Sequence, residues 1–299
     1  MAEVMNGIHY YLHLSDSTVK KSKLPHGVTF ENDTLIFNNE QPINFELVVE
    51  LENKPRNICC VIEKNANVEL IETRLIQNNL LYQRTLEVKE NATLAMLILN
   101  ESSSQANVKE INYVHQNAHI ESAYAELSLS DVEGKYEYQL IGEQAYAEIK
   151  IAALSSESFD KKIRISLLHL KPHTYGRMSN YGVVKDHGKL CFDGVGKIEK
   201  GNYQSETHQT SKIMVFDQGC KAQANPYLYI DEYDVKASHA AGVGKMDEEH
   251  LFYLQSRGLN KHQAMQLITY GYLMPVVDVI QNETVKQTFV QTLERRMGD

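Results

Sequence analysis

Three stretches decide the fold: Glu63–Glu72 (EKNANVELIE), Lys89–Ile98 (KENATLAMLI) and His115–Tyr124 (HQNAHIESAY). Each carries an Asn-Ala pair, at Asn65-Ala66, Asn91-Ala92 and Asn117-Ala118, in equal steps of 26 residues. A weaker copy, GEQAYAEIKI, places Gln144-Ala145 one residue late. Self-similarity at a fixed period is the mark of a solenoid. After each pair the residues alternate. Val68 and Leu70 share one face while Asn67 and Glu69 share the other, and Leu94, Met96 and Ile98 repeat the pattern. Period two means strand. Asparagine suits the turn that opens it, because it tolerates left-handed backbone. Two strands and two bends fit one repeat, so each repeat reads as one coil of a β-helix. A coil buries its apolar face only by stacking on its neighbours. An antiparallel sandwich would explain the alternation but not the equal steps.

Alternation continues with broken spacing through YEYQLIGE, KKIRISLLHL and IMVFDQGCKAQANPYLYID. Strand structure is expected from about Thr29 to about Val235. The chain divides on this reading into a lead-in (1–28), a β-helix core (29–237) and a C-terminal helical domain (238–299).

Helical signals follow. Asp247, Glu248 and Glu249 suit a first turn, where the helix dipole favours negative charge. Leu251, Phe252 and Leu254 supply an apolar stripe, and Arg257 and Gly258 close the helix. Asn260 can cap a second helix carrying Ala264, Leu267 and Ile268. Pro275 punctuates before a third, from about Val276 to Arg296. Gly242-Val243-Gly244-Lys245 is no phosphate loop, because His239 and Met246 stand where Gly and Ser/Thr are needed. It reads as a strand-to-helix turn.

Composition bounds the function. The net charge of −9 argues against a nucleic-acid binder. The N-terminus shows no signal-peptide pattern and no segment has the apolar length of a membrane span. Four cysteines in 299 residues make no disulfide framework. A cytoplasmic protein with reduced thiols is expected.

The stretch Asp234–Leu273, DVKASHAAGVGKMDEEHLFYLQSRGLNKHQAMQLITYGYL, closely resembles the C-terminal signature of the SufB/SufD family of iron–sulfur cluster assembly proteins. The likeness extends upstream to Cys191. It implies a right-handed parallel β-helix followed by a helical domain. It implies a scaffold rather than an enzyme. The partners would be a SufB-like chain, or a second copy, met through the β-helix, and a SufC-like ABC ATPase held by the C-terminal helices. Asp247, Glu248, Leu251, Phe252, Tyr253, Arg257 and Gly258 are the expected partner-binding residues. No cofactor would be tightly bound, and an iron–sulfur cluster would be held transiently at a shared interface.

SufB's proposed ligands, a cysteine and a glutamate, fall at Ser211 and Ala240 here. Both are missing. The histidine proposed for SufD matches His239, so the chain looks most like SufD, and His239 is the candidate cluster and metal ligand. Ala237 replaces the usual SufD cysteine two residues before it. Family members usually carry a further helical domain before the β-helix, so a compact member is expected. From the residues alone, His239 reads either as an iron ligand or as a hydrogen-bonded interface histidine.

Other candidates are weaker. Cys191 and Cys220, with His187 and His208 nearby, match no zinc-ligand spacing. Cys59 and Cys60 should point to opposite faces of a strand, one into the core. His169 and His173 read as surface or core-edge residues. The competing function is a polysaccharide-active β-helix enzyme. Such enzymes line one face with clustered carboxylates and usually need a secretion signal, and this sequence lacks clustered Asp residues on consecutive coils and lacks such a signal.

Overall fold

A computed structural model describes residues 9–279 and 283–297. Its strands are, in chain order, β1 (Tyr10–Leu14), β2 (Val19–Lys23), β3 (Val28–Glu31), β4 (Thr34–Phe37), β5 (Ile43–Leu51), β6 (Arg56–Ile62) and β7 (Asn67–Ile76). There follow β8 (Leu81–Val88), β9 (Thr93–Asn100), β10 (Ala106–Val114), β11 (His119–Glu126), β12 (Val132–Leu140) and β13 (Tyr146–Ser155). The last are β14 (Asp160–His169), β15 (Tyr175–Val184), β16 (Lys189–Ile198), β17 (Glu206–Val215), β18 (Lys221–Ile230) and β19 (Lys236–Lys245).

Odd-numbered strands from β5 onward join β1 and β2 in one ten-stranded sheet, and even-numbered strands from β4 onward join β3 in a nine-stranded sheet. The chain crosses from one sheet to the other at every turn. Successive strands within a sheet are therefore parallel and in register, which makes a parallel β-helix of about seven turns. Among the described residues only β1–β2 and β3–β4 pair antiparallel.

The Asn-Ala repeat is one corner of this helix. Asn65, Asn91 and Asn117 all have left-handed backbone, with φ of 64°, 59° and 53°. Their side chains form a ladder along the rod: Asn91 Nδ2 donates to Asn65 Oδ1, and Asn117 Nδ2 to Asn91 Oδ1, each at 3.2 Å. The alanines that follow are buried, so a small residue is needed where the chain turns inward. Gln144-Ala145, His173-Thr174 and Gln204-Ser205 continue the corner with the same backbone and the same burial. Later coils are longer. Stacked corner residues Asp186 and Asp217 are 31 apart in sequence, against 26 for the asparagines. That lengthening is why the repeat spacing breaks.

Strand structure reaches beyond the expected 29–235 at both ends. β1 and β2 lie in the stretch read as a lead-in, and β19 runs on through Lys245. Gly242–Lys245 is accordingly strand rather than turn. β2 covers the first coil as an antiparallel edge carrying Lys20, Lys21 and Lys23, a common protection for a sheet edge. Residues 1–8 lie outside the described residues.

The helices are α1 (Glu248–Ser256), α2 (Lys261–Leu273) and α3 (Glu283–Met297). Asp247 caps α1, its side chain accepting from Glu249 N at 2.9 Å. Gly258 follows with φ of 98°, and Asn260 opens α2 with a reciprocal capping box to Gln263. The third helix differs from its expected span. Met274–Val279, with Pro275, is a 3-10 helix, and α3 begins only at Glu283. Positions 280–282 of the expected helix lie outside the described residues.

The helical part does not prolong the rod. It folds back along the outer face of the ten-stranded sheet. Leu273, Val276, Val277, Phe289, Leu293 and Met297 pack there on Ile71, Leu97, Leu99, Ala123, Ala125 and Leu154. Arg295 Nη2 fastens α3 to Glu101 Oε2 at 2.8 Å.

Candidate functional site at the open end of the rod

The last coil has no successor. Residue for residue, β19 pairs with β17: Thr207 with Ala237, Gln209 with His239, Ser211 with Ala241 and Ile213 with Val243. Those four β17 residues are buried and face the interior. Register therefore puts Ala237, His239, Ala241 and Val243 on the inward face of β19. With no further coil to cover them, all ten residues of β19 are exposed. His239 thus lies mid-strand at the mouth of the rod, not where strand changes to helix. Its neighbours on the inward face are Ala237 and Ala241, which keep the approach open.

Below it, Gln209 braces the coil. Its side chain crosses the interior and donates from Nε2 to the backbone carbonyl of Tyr227 on β18 at 2.9 Å. Two glycines permit the crossing. A Cβ on Gly194 would stand 2.8 Å from Gln209 Oε1, and one on Gly196 would stand 2.7 Å from Nε2. The sequence offered Gln209 as part of a family pattern but not this role.

Of the positions Ser211 and Ala240, only Ser211 shares the inward face with His239; Ala240 faces the other way. Ser211 is buried and accepts from Asn180 Nδ2 at 3.0 Å, while Ala240 pairs with Thr210 on the opposite face of the sheet. On that outer face His208 Nδ1 meets Ser238 Oγ at 2.7 Å.

The cysteine and histidine candidates stay apart. Cys191 lies on β16 in one sheet, and its thiol donates to Asp193 Oδ1 at 3.7 Å. His208 lies on β17 in the other sheet. Cys220 sits at a corner with its thiol toward Asp186 O. Burial pushes both thiols up. Among the described residues no group of three or more His, Cys, Asp or Glu is placed to hold a metal ion. Cys60 is in the core, its thiol pushed up to about 12 by burial, and Cys59 is half-buried on the other face. His169 is fully buried rather than at a surface. Burial drives it down to about 3, and its Nδ1 meets Thr174 Oγ1 at 2.8 Å. The sequence hides this because His169 ends an apolar strand beside a Lys-Pro bend. His173, by contrast, is a half-buried corner residue.

Of the expected partner-binding residues, Asp247 and Gly258 form the ends of α1, and Glu248 lies in its acidic first turn. No residue of α1 is fully buried. Leu251 is half-buried, but Phe252 is 73% exposed and Tyr253 55%, so Phe252 is not part of a packed stripe. Arg257 lies over the Tyr253 ring at 5.1 Å, a cation–π contact at the surface.

The architecture is that of a parallel β-helix with an uncapped C-terminal coil and helices returned along its flank. The profile of the SUF system FeS cluster assembly SufBD core domain matches residues 50–272, and the chain belongs to that family. It is similar to the iron–sulfur cluster assembly protein SufD of Bacillus subtilis, 33% identical over 182 residues, and to SufD of Escherichia coli, 28% identical over 159 residues. These matches cover 61% and 53% of this chain and 42% and 38% of the relatives. A SufBD family protein of Staphylococcus epidermidis is 25% identical over 169 residues, covering 56% of this chain and 36% of that protein. No helix among the described residues is long and apolar enough to cross a membrane.

Proposed function

We propose that the chain is a SufD-like scaffold for iron–sulfur cluster assembly, with no catalytic activity of its own. It pairs through its open end with a SufB-like chain or a second copy, holds a SufC-type ABC ATPase on α1 and α2, and presents His239 to a cluster that is cargo shared between chains. The observation that carries this is β19: ten exposed residues in an edge strand, with no charge between Lys236 and Lys245. Sheet edges left this way pair with another chain. The other end of the rod is covered by a lysine-bearing antiparallel strand, so the two ends differ in design. The exposed aromatics of α1 supply a second contact surface within the matched 50–272 core. One neutral imidazole suits iron but cannot hold a cluster alone, so the remaining ligands come from a partner.

The test is a double variant, Ala241→Lys with Val243→Lys, which charges the edge at two exposed positions. It should keep the far-UV circular dichroism of the parent and lose co-elution with the SufB-like chain in size-exclusion chromatography. Undiminished pairing would move the interface elsewhere.

A further inference from the structure

The interior of the rod holds two clusters of charge. In the first, Glu72, Arg74, Arg84 and Glu110 are each at most 1% exposed. Arg74 Nε donates to Glu72 Oε1 at 2.6 Å and its Nη2 to Glu110 Oε1 at 2.5 Å. Arg84 Nη2 donates to Glu110 Oε2 at 2.5 Å and Nη1 to Glu72. Each carboxylate is shared by both guanidiniums. In the second cluster Glu126 accepts from Asn100 Nδ2 at 2.5 Å, Ser128 Oγ at 2.5 Å and Lys161 Nζ at 3.1 Å.

A cavity of about 10 Å³ lies between them, lined by Arg74, Asn100, Tyr124, Glu126 and Tyr136 together with apolar residues. The lining residues are at most 4% exposed. Among the hydrogen bonds of the described residues, Arg74 Nη1 and the Tyr136 hydroxyl have none, and Glu126 Oε2 has only the one from Asn100. Buried donors left like this are costly, and nature satisfies them with protein or with water.

We infer that one water molecule is bound in this cavity. It accepts from Arg74 Nη1, donates to the Glu126 carboxylate and pairs with the Tyr136 hydroxyl. Size allows one water and no more. Charge selects water over an ion, because a cation would face Arg74 and an anion would face Glu126. The bridge joins the two clusters into one neutral network of two arginines, one lysine and three carboxylates. That network touches β7, β8, β10, β11 and β14, so it reaches both sheets. Parallel coils of similar length invite slippage by one strand position. A bridged set of opposite charges inside the rod penalises both kinds of slip: a shift by one position turns the inward set outward, and a shift by two keeps the charges inside but parts them from their partners.

Two measurements on the full chain test this. A high-resolution crystal structure should show one ordered water within hydrogen-bonding distance of Arg74 Nη1 and the Glu126 carboxylate. Tyr136→Phe should lower the Tm, because it removes a partner from a satisfied network. In a dry cavity the Tyr136 hydroxyl bonds nothing, and the same substitution would leave the Tm unchanged or raise it. Either an empty cavity or an unchanged or raised Tm overturns the inference.

Discussion

Gln209 and Tyr227 sit on opposite sheets and are joined by one hydrogen bond, from the Gln209 amide to the Tyr227 carbonyl at 2.9 Å. The bond ties β18, half of the last coil, to the coil before it. Inner coils are held by coils on both sides and the first is covered by β2, while the last has a neighbour on one side only. Gln209→Leu keeps the volume and removes the donor, leaving the Tyr227 carbonyl without that partner. The variant should be less stable by about 1–3 kcal/mol in urea unfolding. Hydrogen exchange should quicken first in Lys221–Ile230. Uniform loss of protection along the rod would contradict a local brace.

His169 makes stability depend on pH. It is fully buried and burial lowers it to about 3, so the folded chain holds it neutral. In the unfolded chain it gains its proton near pH 6.5. A proton bound only by the unfolded state weakens folding as pH falls. The stability contributed is complete above about pH 6.5 and is lost progressively toward pH 3. At pH 5 the loss from this one residue is about 2 kcal/mol. His169→Leu should remove that part of the slope between pH 6.5 and 4, although it costs the Thr174 contact at every pH. An unchanged slope in the variant would refute the assignment.

The helical part cannot be removed cleanly. Truncation after Gly258 deletes Leu273, Val276, Phe289 and Leu293 and uncovers Ile71, Leu97, Leu99 and Leu154 on the ten-stranded sheet. Such a protein should aggregate or bind a hydrophobic dye strongly, which confounds any binding assay. The better test of ATPase docking is Phe252→Ser with Tyr253→Ser. Both side chains are largely exposed, so the fold should stay within about 0.5 kcal/mol of the parent. Capture of the SufC-type ATPase should fall at least tenfold in a pull-down titration. Parent-like capture would place docking off α1.

How much of this was legible depends on what each residue had to do. Asn65-Ala66 was readable because a left-handed corner and a buried small residue each restrict the sequence. At His173-Thr174 and Gln204-Ser205 the same backbone is kept with other residues, so the repeat fades although the corner persists. β19 was not readable as strand. Its Ala, Ser and Gly residues carry no strand preference, and its conformation is imposed by pairing with β17. The flank position of the helices did leave a signal. Ile98, Leu97 and Leu99 are consecutive and buried, which breaks the alternation because both faces of β9 are covered. Glu72 and Arg74 were also in phase with Val68, Leu70 and Ile76, which marks them as inward-facing despite their charge. At the open end, sequence located His239 but not its direction, which only the register with Gln209 supplies.

His239→Ala tests the center of the proposal. The residue is exposed on an edge strand and no protein hydrogen bond holds it among the described residues, so its loss should change stability by less than about 0.5 kcal/mol. Pairing and ATPase capture should persist, because β19 remains an uncharged edge and α1 is untouched. Cluster accumulation on the assembled complex should drop sharply in anaerobic reconstitution, followed by visible absorption and by complementation in cells. Ser211 cannot compensate, since it is buried and already bonded to Asn180, and Ala240 faces the other side of the sheet. His239→Cys should recover part of the signal, because a thiolate at the same inward-facing position can also bind iron. That partial rescue separates a ligand from a packing residue, since cysteine restores a donor atom but not the shape of an imidazole. If His239→Ala assembles clusters at the parental rate, the ligand role is lost and His239 is a contact residue of the pairing edge.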